Sequence, residues 1–225
     1  MWGLIPVLVV LGDMALPPTT FGWDFANLVA LAAGGVALLL FIETGRPRPR
    51  PPFEGRYFIN LHRDLGIVVI ILVTLHGVYV LVDEPTTVEY LLPTAPLYML
   101  AGLVSYLLLI ALVVLGFKRV RVAAFPNHRV FRITHWVSAL AFVALAWWHV
   151  LGADYYLRTD VVAGIMIVAS IAVLVVWVLK RQVPRRETGN GRRIIGVAHY
   201  PEWMAAAATV AVVLSIGAFA VLRVV

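Results

Sequence analysis

Two pairs of histidines stand in the same frame in this sequence. His62 and His76 are fourteen positions apart, and so are His135 and His149. Fourteen helical steps of about 100° end about 40° short of four turns, so each pair shares one helix face and spans about 21 Å. Neutral imidazole is a good axial ligand for haem iron. The spacing predicts an inner pair, His62 with His135, and an outer pair, His76 with His149, each holding one haem.

A second interpretation of the four histidines is purely structural, with hydrogen bonds between helices as their only role. Ionisable side chains are rare in a bilayer core, however, and usually mark a function. One histidine alone would favour the structural interpretation, whereas two pairs at one spacing favour haem ligation. The haem hypothesis requires that the two helices run parallel.

The composition is that of a polytopic membrane protein, because 62% of the 225 residues are hydrophobic and only 13% are charged. The expected partners include membrane lipid and no nucleic acid. There is no cysteine, which excludes disulfides, iron–sulfur clusters and covalent haem attachment. Any haem must therefore be b-type.

The apolar runs predict an all-α fold, a membrane helix bundle of about seven transmembrane helices with a cytoplasmic N-terminus. The intervening segments, including 83–96 and 118–132 with His128, are expected to be loops. The expected domains are an N-terminal helix (1–19), a core (20–182), a basic cytoplasmic loop (183–202) and an additional C-terminal helix (203–225). The predicted spans are 2–16, 25–42, 61–82, 97–117, 133–153, 161–179 and 203–222.

The charges of the loops predict the orientation. The loops after the second, fourth and sixth spans, with the adjoining helix ends, hold 16 of the 18 Lys and Arg residues. The other side keeps Arg158, Arg223 and seven of the 12 acidic residues. Short loops rich in Lys and Arg lie on the cytoplasmic side. Spans 61–82 and 133–153 therefore both run outward and are parallel, and the expected location is the plasma membrane.

Further candidate residues surround the two pairs. Phe142 lies seven positions after His135, and Val69 seven after His62, so both should lie between the haems. Phe142 would lie in the electron path or simply fill space. Haem propionates require cationic partners, although an arginine can equally be a positive-inside anchor. The candidates are Arg63, Arg129 and Arg132 at the inner pair, and Arg158, Tyr155 and Tyr156 at the outer pair.

At these residues the sequence resembles the ferric reductase-like transmembrane domain family. Its superfamily includes NADPH oxidases, ferric reductases and the haem membrane subunit of the methionine sulfoxide reductase system. The resemblance covers roughly residues 20 to 180 and implies a six-helix core whose four histidines ligate two b haems. The shared pattern comprises Leu61-His62-Arg63, His76, the acidic 82–85 loop with its proline, Gly116-Phe117-Lys118-Arg119, Phe131-Arg132, His135-Trp136 and His149.

The sequence departs from the oxidases after the sixth span. About 45 residues follow, without the strand, Gly-rich turn and helix of a nucleotide-binding unit. The resemblance therefore implies an oxidoreductase component without its own flavin or NAD(P)H domain. It would take electrons from a separate donor, a flavoprotein or a quinol, and pass them to an acceptor on the outer side. The sequence leaves open whether the chain also binds a flavin or a quinone as an additional cofactor.

Two other functions compete with this one. A quinol-handling cytochrome b also holds two haems on parallel helices, and Pro201-Glu202-Trp203 resembles part of its quinol-site motif. That motif belongs on the outer side, whereas the charges place these residues inside. A non-redox membrane scaffold is the third interpretation, and it leaves the histidine frame unexplained.

The Pro/Arg segment 46–56 is more basic than orientation requires, which predicts docking of an acidic donor protein or an anionic flavin beside the inner pair. Changing Arg46, Arg48 and Arg50 together to glutamine should slow reduction of the inner haem, and high salt should slow the wild type. Stopped-flow reduction at low and high ionic strength is the measurement. Rates that respond to neither change would leave this segment as a topology anchor only.

Overall fold

The computed structural model describes residues 20–42 and 57–154, together with helical residues 164, 167, 168, 170–172, 174 and 175. All regular structure in these ranges is helical, which confirms the all-α prediction. The predicted spans 2–16 and 203–222, and the bounds of span 161–179, lie outside the described residues. The helices are α1 Phe21–Ile42, α2 Tyr57–Asp83, α3 Leu97–Gly116, α4 Lys118–Ala124 and α5 His128–Ala153, with a 3-10 helix at Pro85–Leu91.

Four of the described helices, α1, α2, α3 and α5, are long and apolar enough to cross a membrane. Their runs of Val, Leu, Ile and Ala match the length of a bilayer core. Because a bilayer offers no water to the backbone, such a segment is driven to satisfy its amides internally as a helix. The chain is therefore an integral membrane protein.

Capping side chains start α1 and α5 earlier than the apolar runs alone indicate. The backbone amide of Trp23 donates to the Thr20 hydroxyl at 3.2 Å, and α1 follows from Phe21. The amide of Val130 donates to the Asn127 side chain at 2.9 Å, so α5 begins at His128. Such caps satisfy amides at a helix start that have no partner within the helix.

Two loop predictions were therefore wrong in part. His128 is the first residue of a helix and does not lie in a loop, because Asn127 caps the turn that contains it. Segment 118–132 also contains α4, and segment 83–96 contains the 3-10 helix. That 3-10 helix starts at Pro85, whose fixed φ suits the first position of a helix.

Hydrogen bonds between the helices define their directions. The Thr20 hydroxyl donates to the Asp83 carboxylate, which joins the start of α1 to the end of α2. The hydroxyls of Thr74 and Tyr106 lie 2.9 Å apart and join α2 to α3.

Helix α3 is antiparallel to both helices that carry the histidine pairs. The Ser105 hydroxyl donates to the carbonyl oxygen of Phe142 at 3.1 Å, and Tyr98, seven residues before Ser105, contacts His149, seven residues after Phe142. Helix α3 is therefore antiparallel to α5. Because the Cβ position of Gly66 lies beside Val113 while Thr74 bonds Tyr106, α3 is also antiparallel to α2. Helices α2 and α5 consequently run parallel, which is the arrangement that the loop charges predict.

Helix α1 provides the most deeply buried surface of the bundle. Ala26, Leu28, Val29 and Ala32 have no exposed surface, and the core continues through α2, where Val69 and Leu72 are equally buried. Small side chains let two membrane helices approach closely. Their close packing stabilises the pair, because no hydrophobic force drives helices together in lipid. The close pairs among the described helices are α1 with α2 and α3 with α5.

Replacing Ala32 with leucine should destabilise the bundle by about 1–3 kcal/mol, because extra methylenes in a filled interior force neighbouring side chains out of their preferred rotamers. The midpoint of thermal unfolding, followed by circular dichroism in detergent, is the measurement. Gly34→Ala is the control, since a Cβ at this exposed residue would meet nothing within 4 Å. Equal midpoints for Ala32→Leu and wild type would contradict close packing at this position.

Candidate haem-binding site

The structure brings the four histidines together as two facing pairs. The ring centres of His62 and His135 are 6.1 Å apart, and those of His76 and His149 are 6.3 Å apart. A metal held by two imidazole nitrogens at about 2 Å each, with each nitrogen about 1.1 Å from its ring centre, separates the centres by about 6.2 Å. Both pairs therefore have the spacing of two axial ligands on one metal ion.

These pairs do not form a metal site from protein ligands alone. Over residues 20–42 and 57–154, no group of three or more His, Cys, Asp or Glu side chains could hold a metal ion. Two imidazoles suffice only when the metal brings its other ligands with it, as the iron of a haem does. The donor set thus fits haem better than it fits a bare ion such as zinc, which takes three or four protein ligands.

Backbone carbonyls orient both histidines of the outer pair. The Nδ1 atom of His76 lies 3.1 Å from the carbonyl oxygen of Ala26 in α1, and Nδ1 of His149 lies 3.2 Å from that of Tyr98 in α3. A carbonyl oxygen only accepts, so each Nδ1 carries the hydrogen and donates it. The remaining nitrogen, Nε2, keeps its lone pair for a metal, as is usual for metal-binding histidines.

The inner pair has a different environment. The Nδ1 atom of His135 is buried, and no hydrogen-bond partner for it exists among the described residues. The ring of Phe131, one helical turn before, lies 5.4 Å from the His135 ring. The guanidinium of Arg121 in α4 lies over the Phe131 ring, 5.2 Å from its centre. A cation–π contact thus links the basic end of the bundle to the inner pair.

The predicted propionate partners lie at the inner end, but they are not equivalent. The Arg63 Nε atom donates to the Asp64 carboxylate at 2.8 Å, although 41% of the Arg63 side chain stays exposed. Arg129 and Arg132 are exposed in the first turns of α5. The candidates at the outer pair, Arg158, Tyr155 and Tyr156, lie outside the described residues.

Phe142 and Val69 lie at the level between the two pairs along their helices. Val69 is fully buried in the main core, and Phe142 packs against the same core. The Phe142 side chain also lines an apolar cavity between α1 and α5. Among its other lining residues are Ala30, Leu31, Gly34, Val143 and Trp147. Phe142 therefore packs toward α1 as well as lying between the pairs.

Three contributors to the site were missed by reasoning from sequence. The Ala26 and Tyr98 carbonyls belong to helices without ligands, and a backbone acceptor has no signature in side-chain type. Gly102 of α3, whose backbone faces the His149 ring, was missed as well. An isolated glycine in an apolar helix often has a packing reason. Phe131 entered only through its place in the shared pattern, yet its spacing of four from His135 puts it on the same helix face.

A comparison with known families decides the identity of this domain. The sequence model of the family described as "Ferric reductase like transmembrane component" matches residues 29–146, which is more than half of the 225 residues. The chain belongs to the ferric reductase-like transmembrane family. No curated protein and no solved structure matches it significantly.

Membership confirms the family resemblance of the sequence and gives the histidine pairs a chemical context. Ferric reductase-like domains generally bind haem and work with a separate redox partner. The matched range contains His62, His76 and His135, whereas His149 lies three residues beyond its end. This ferric reductase-like chain is therefore a membrane electron-transfer component.

Replacing Phe131 with alanine should weaken haem retention at the inner pair, because it removes the buried ring against His135. Large buried aromatics cost about 3–5 kcal/mol when truncated to alanine, so the unfolding midpoint should also fall. Haem absorbance per mole of protein and thermal unfolding are the measurements. Phe125→Ala is the control, since this half-buried ring contacts Phe131 at 5.5 Å. An unchanged haem content in Phe131→Ala would argue against a supporting role.

Proposed function

We propose that this chain is a di-haem b-type cytochrome of the plasma membrane. His62 and His135 would hold the inner haem, and His76 and His149 the outer haem. The chain would pass electrons between a separate donor on its basic, cytoplasmic side and an acceptor on its outer side. In this function it is the membrane component of an oxidoreductase system and works with a separate electron donor.

The observation that carries the proposal is the repetition of one geometry. Two histidine pairs on the same two helices have ring-centre distances of 6.1 and 6.3 Å. The fourteen helical steps from one pair to the other correspond to about 21 Å along a helix, which is most of a hydrocarbon core of about 30 Å. A purely structural role would not require both pairs to have the spacing of metal ligands.

When bound between such a pair, a b-type haem supplies one-electron redox chemistry. The chain's own residues orient the ligands and exclude water. The Ala26 and Tyr98 carbonyls fix the hydrogen on Nδ1 of the outer histidines. Val69 and Leu72, both fully buried, fill the space along α2 between the levels of the two pairs. Arg63 and Arg132 are the candidates for propionate contacts at the inner end, and Arg158 at the outer end.

Charge supports the proposed sides of donor and acceptor. At the inner end lie Arg119, Arg121, Arg129 and other basic residues of α4 and the start of α5. At the outer end lie acidic residues, namely Asp83, Glu84, Glu89 and Asp154. The positive-inside rule places the basic end in the cytoplasm. The proposed donor is a flavoprotein or a quinol. Its flavin or quinone would deliver electrons at this basic face.

The quinol-handling alternative would use the same two histidine pairs on parallel helices. Its distinguishing motif, Pro201-Glu202-Trp203, lies outside the described residues, and the charges place that motif on the cytoplasmic side instead of the outer side. A scaffold without redox chemistry has no use for two histidine pairs at metal-ligand spacing. We therefore retain electron transfer across the membrane as the function.

The test is the haem content of the purified protein. We expect two haems per chain by pyridine haemochrome assay, with a b-type spectrum. His149→Ala should lower the ratio to one, because the outer pair loses a ligand while the inner pair keeps both. His128→Ala is the matched control, since this exposed histidine starts the same helix and lies outside both pairs.

Two outcomes would count against the proposal. A wild-type ratio near one, or a c-type band, is incompatible with two b haems. Loss of both haems in well-folded His149→Ala would mean that the pairs do not bind independently.

A further inference from the structure

Helix α3 carries no histidine, yet it forms one wall of the outer pair. Tyr98 and Gly102 are four residues apart and therefore share one face of α3. Both contact His149 of α5: the Tyr98 carbonyl accepts the hydrogen of Nδ1, and Gly102 faces the imidazole ring. Nothing in the sequence of α5 alone accounts for this double contact.

The fit of the imidazole against Gly102 leaves no room for a side chain. A Cβ atom placed on Gly102 would lie 2.7 Å from Nδ1, 2.8 Å from Cγ and 3.1 Å from Cε1 of His149. Favourable contacts between non-bonded heavy atoms begin at about 3.5 Å. Three atoms of one ring would thus be too close to a single methyl group, and the ring is the part of the histidine that must stay in place.

The close approach at Gly102 lies at the crossing of α3 and α5. Outside this crossing, the only described glycine whose Cβ would come as close to a neighbour is Gly22, which faces the Asp83 side chain at the end of α2. A Cβ on Gly34, Gly77 or Gly116 would meet nothing within 4 Å. At the same crossing, a Cβ on Gly152 would lie 2.5 Å from Cγ of Tyr98. Each helix thus presents a glycine to an aromatic ring of the other: His149 lies on Gly102, and Tyr98 lies on Gly152.

We propose that Gly102 is a positioning residue for the outer haem ligand. It makes room on α3 for the His149 ring, at the depth where the Tyr98 carbonyl can hold Nδ1. With Nδ1 held, Nε2 is the nitrogen left for the metal, opposite His76. This inference rests on the proposed di-haem function and assigns to a helix without ligands a part in building the outer site.

The role should be confined to the outer pair. The inner pair has no comparable glycine among the described residues: a Cβ on Gly66, the glycine of α2 next to the inner end, would meet only Val113 at 3.9 Å. His135 instead packs against Phe131. A change at Gly102 should therefore affect one haem and leave the other as an internal reporter of folding.

The experiment compares wild type, Gly102→Ala and Gly77→Ala as purified, haem-loaded protein in detergent. Gly77→Ala is the matched control, because Gly77 follows His76 directly and its Cβ would meet open space. Alanine favours a helix over glycine, so neither change weakens its own helix. The readouts are the haem-to-protein ratio and the EPR spectrum of the ferric protein. The g values of low-spin ferric haem depend on the angle between its two imidazole planes, which is 65° for the outer pair.

We expect two haems with wild-type EPR signals in Gly77→Ala. In Gly102→Ala we expect the ratio to fall from two toward one, or the ratio to stay at two with one of the two EPR signals shifted. The inner signal should stay unchanged in both variants. An altered orientation of one haem ligand is a result that general loosening of the bundle would not produce.

Three results would overturn the role of Gly102. The first is a Gly102→Ala variant with wild-type haem content and both EPR signals unchanged. The second is equal loss of both haems in Gly102→Ala. The third is a Gly77→Ala variant that shows the same loss of haem or the same shifted EPR signal as Gly102→Ala. Failure of the underlying function has a different signature, since wild type itself would then contain fewer than two haems.

Discussion

Each half-buried imidazole of the outer pair has one nitrogen held by a neighbouring helix, and this constraint shapes the bundle. An unsatisfied polar atom is costly where no water can reach it. For His76 and His149, the protein assigns Nδ1 to a backbone carbonyl of a neighbouring helix, which leaves Nε2 available for a metal. Each helix that carries an outer histidine therefore needs a partner helix at close range, and the pairs α1 with α2 and α3 with α5 supply it.

The same arrangement explains how two helices that hardly touch can keep a common register. Facing imidazole rings lie between α2 and α5 at two levels. Their register is set indirectly, through α3, which is antiparallel to both. The Thr74–Tyr106 and Ser105–Phe142 hydrogen bonds fix the alignment of α3 with α2 and with α5 near the middle of the bundle. Polar contacts of this kind are modest individually, but each specifies one alignment of two helices.

The two histidine pairs have different surroundings, and under the proposed function these differences would tune two haems. Carbonyl acceptors raise the basicity of an imidazole ligand, and they serve both outer histidines. At the inner end, the Phe131 ring lies against His135, and the Arg121 guanidinium lies over the Phe131 ring. Acidic residues lie at the opposite end of the bundle, near the C-terminal ends of α2 and α5. Ligand basicity and surrounding charge are among the means by which a protein sets the potential of a haem. The fold thus provides two unlike environments for one type of ligand pair.

The sequence by itself determined the class of the protein, the membrane helices of the described region and the histidine frame, because apolar length and a fourteen-residue spacing are properties of one helix at a time. It placed the helix starts at Phe21 and His128 too late, since capping by Thr20 and Asn127 extends a helix beyond its apolar run. Only the tertiary structure decided which atoms contact the four histidines. Backbone groups contact the outer histidines, and they can do so only because of how two helices cross. These groups are the carbonyls of Ala26 and Tyr98 and the backbone of Gly102. No side-chain pattern within one helix encodes that crossing, so the surroundings of the histidines became visible only once the helices were packed.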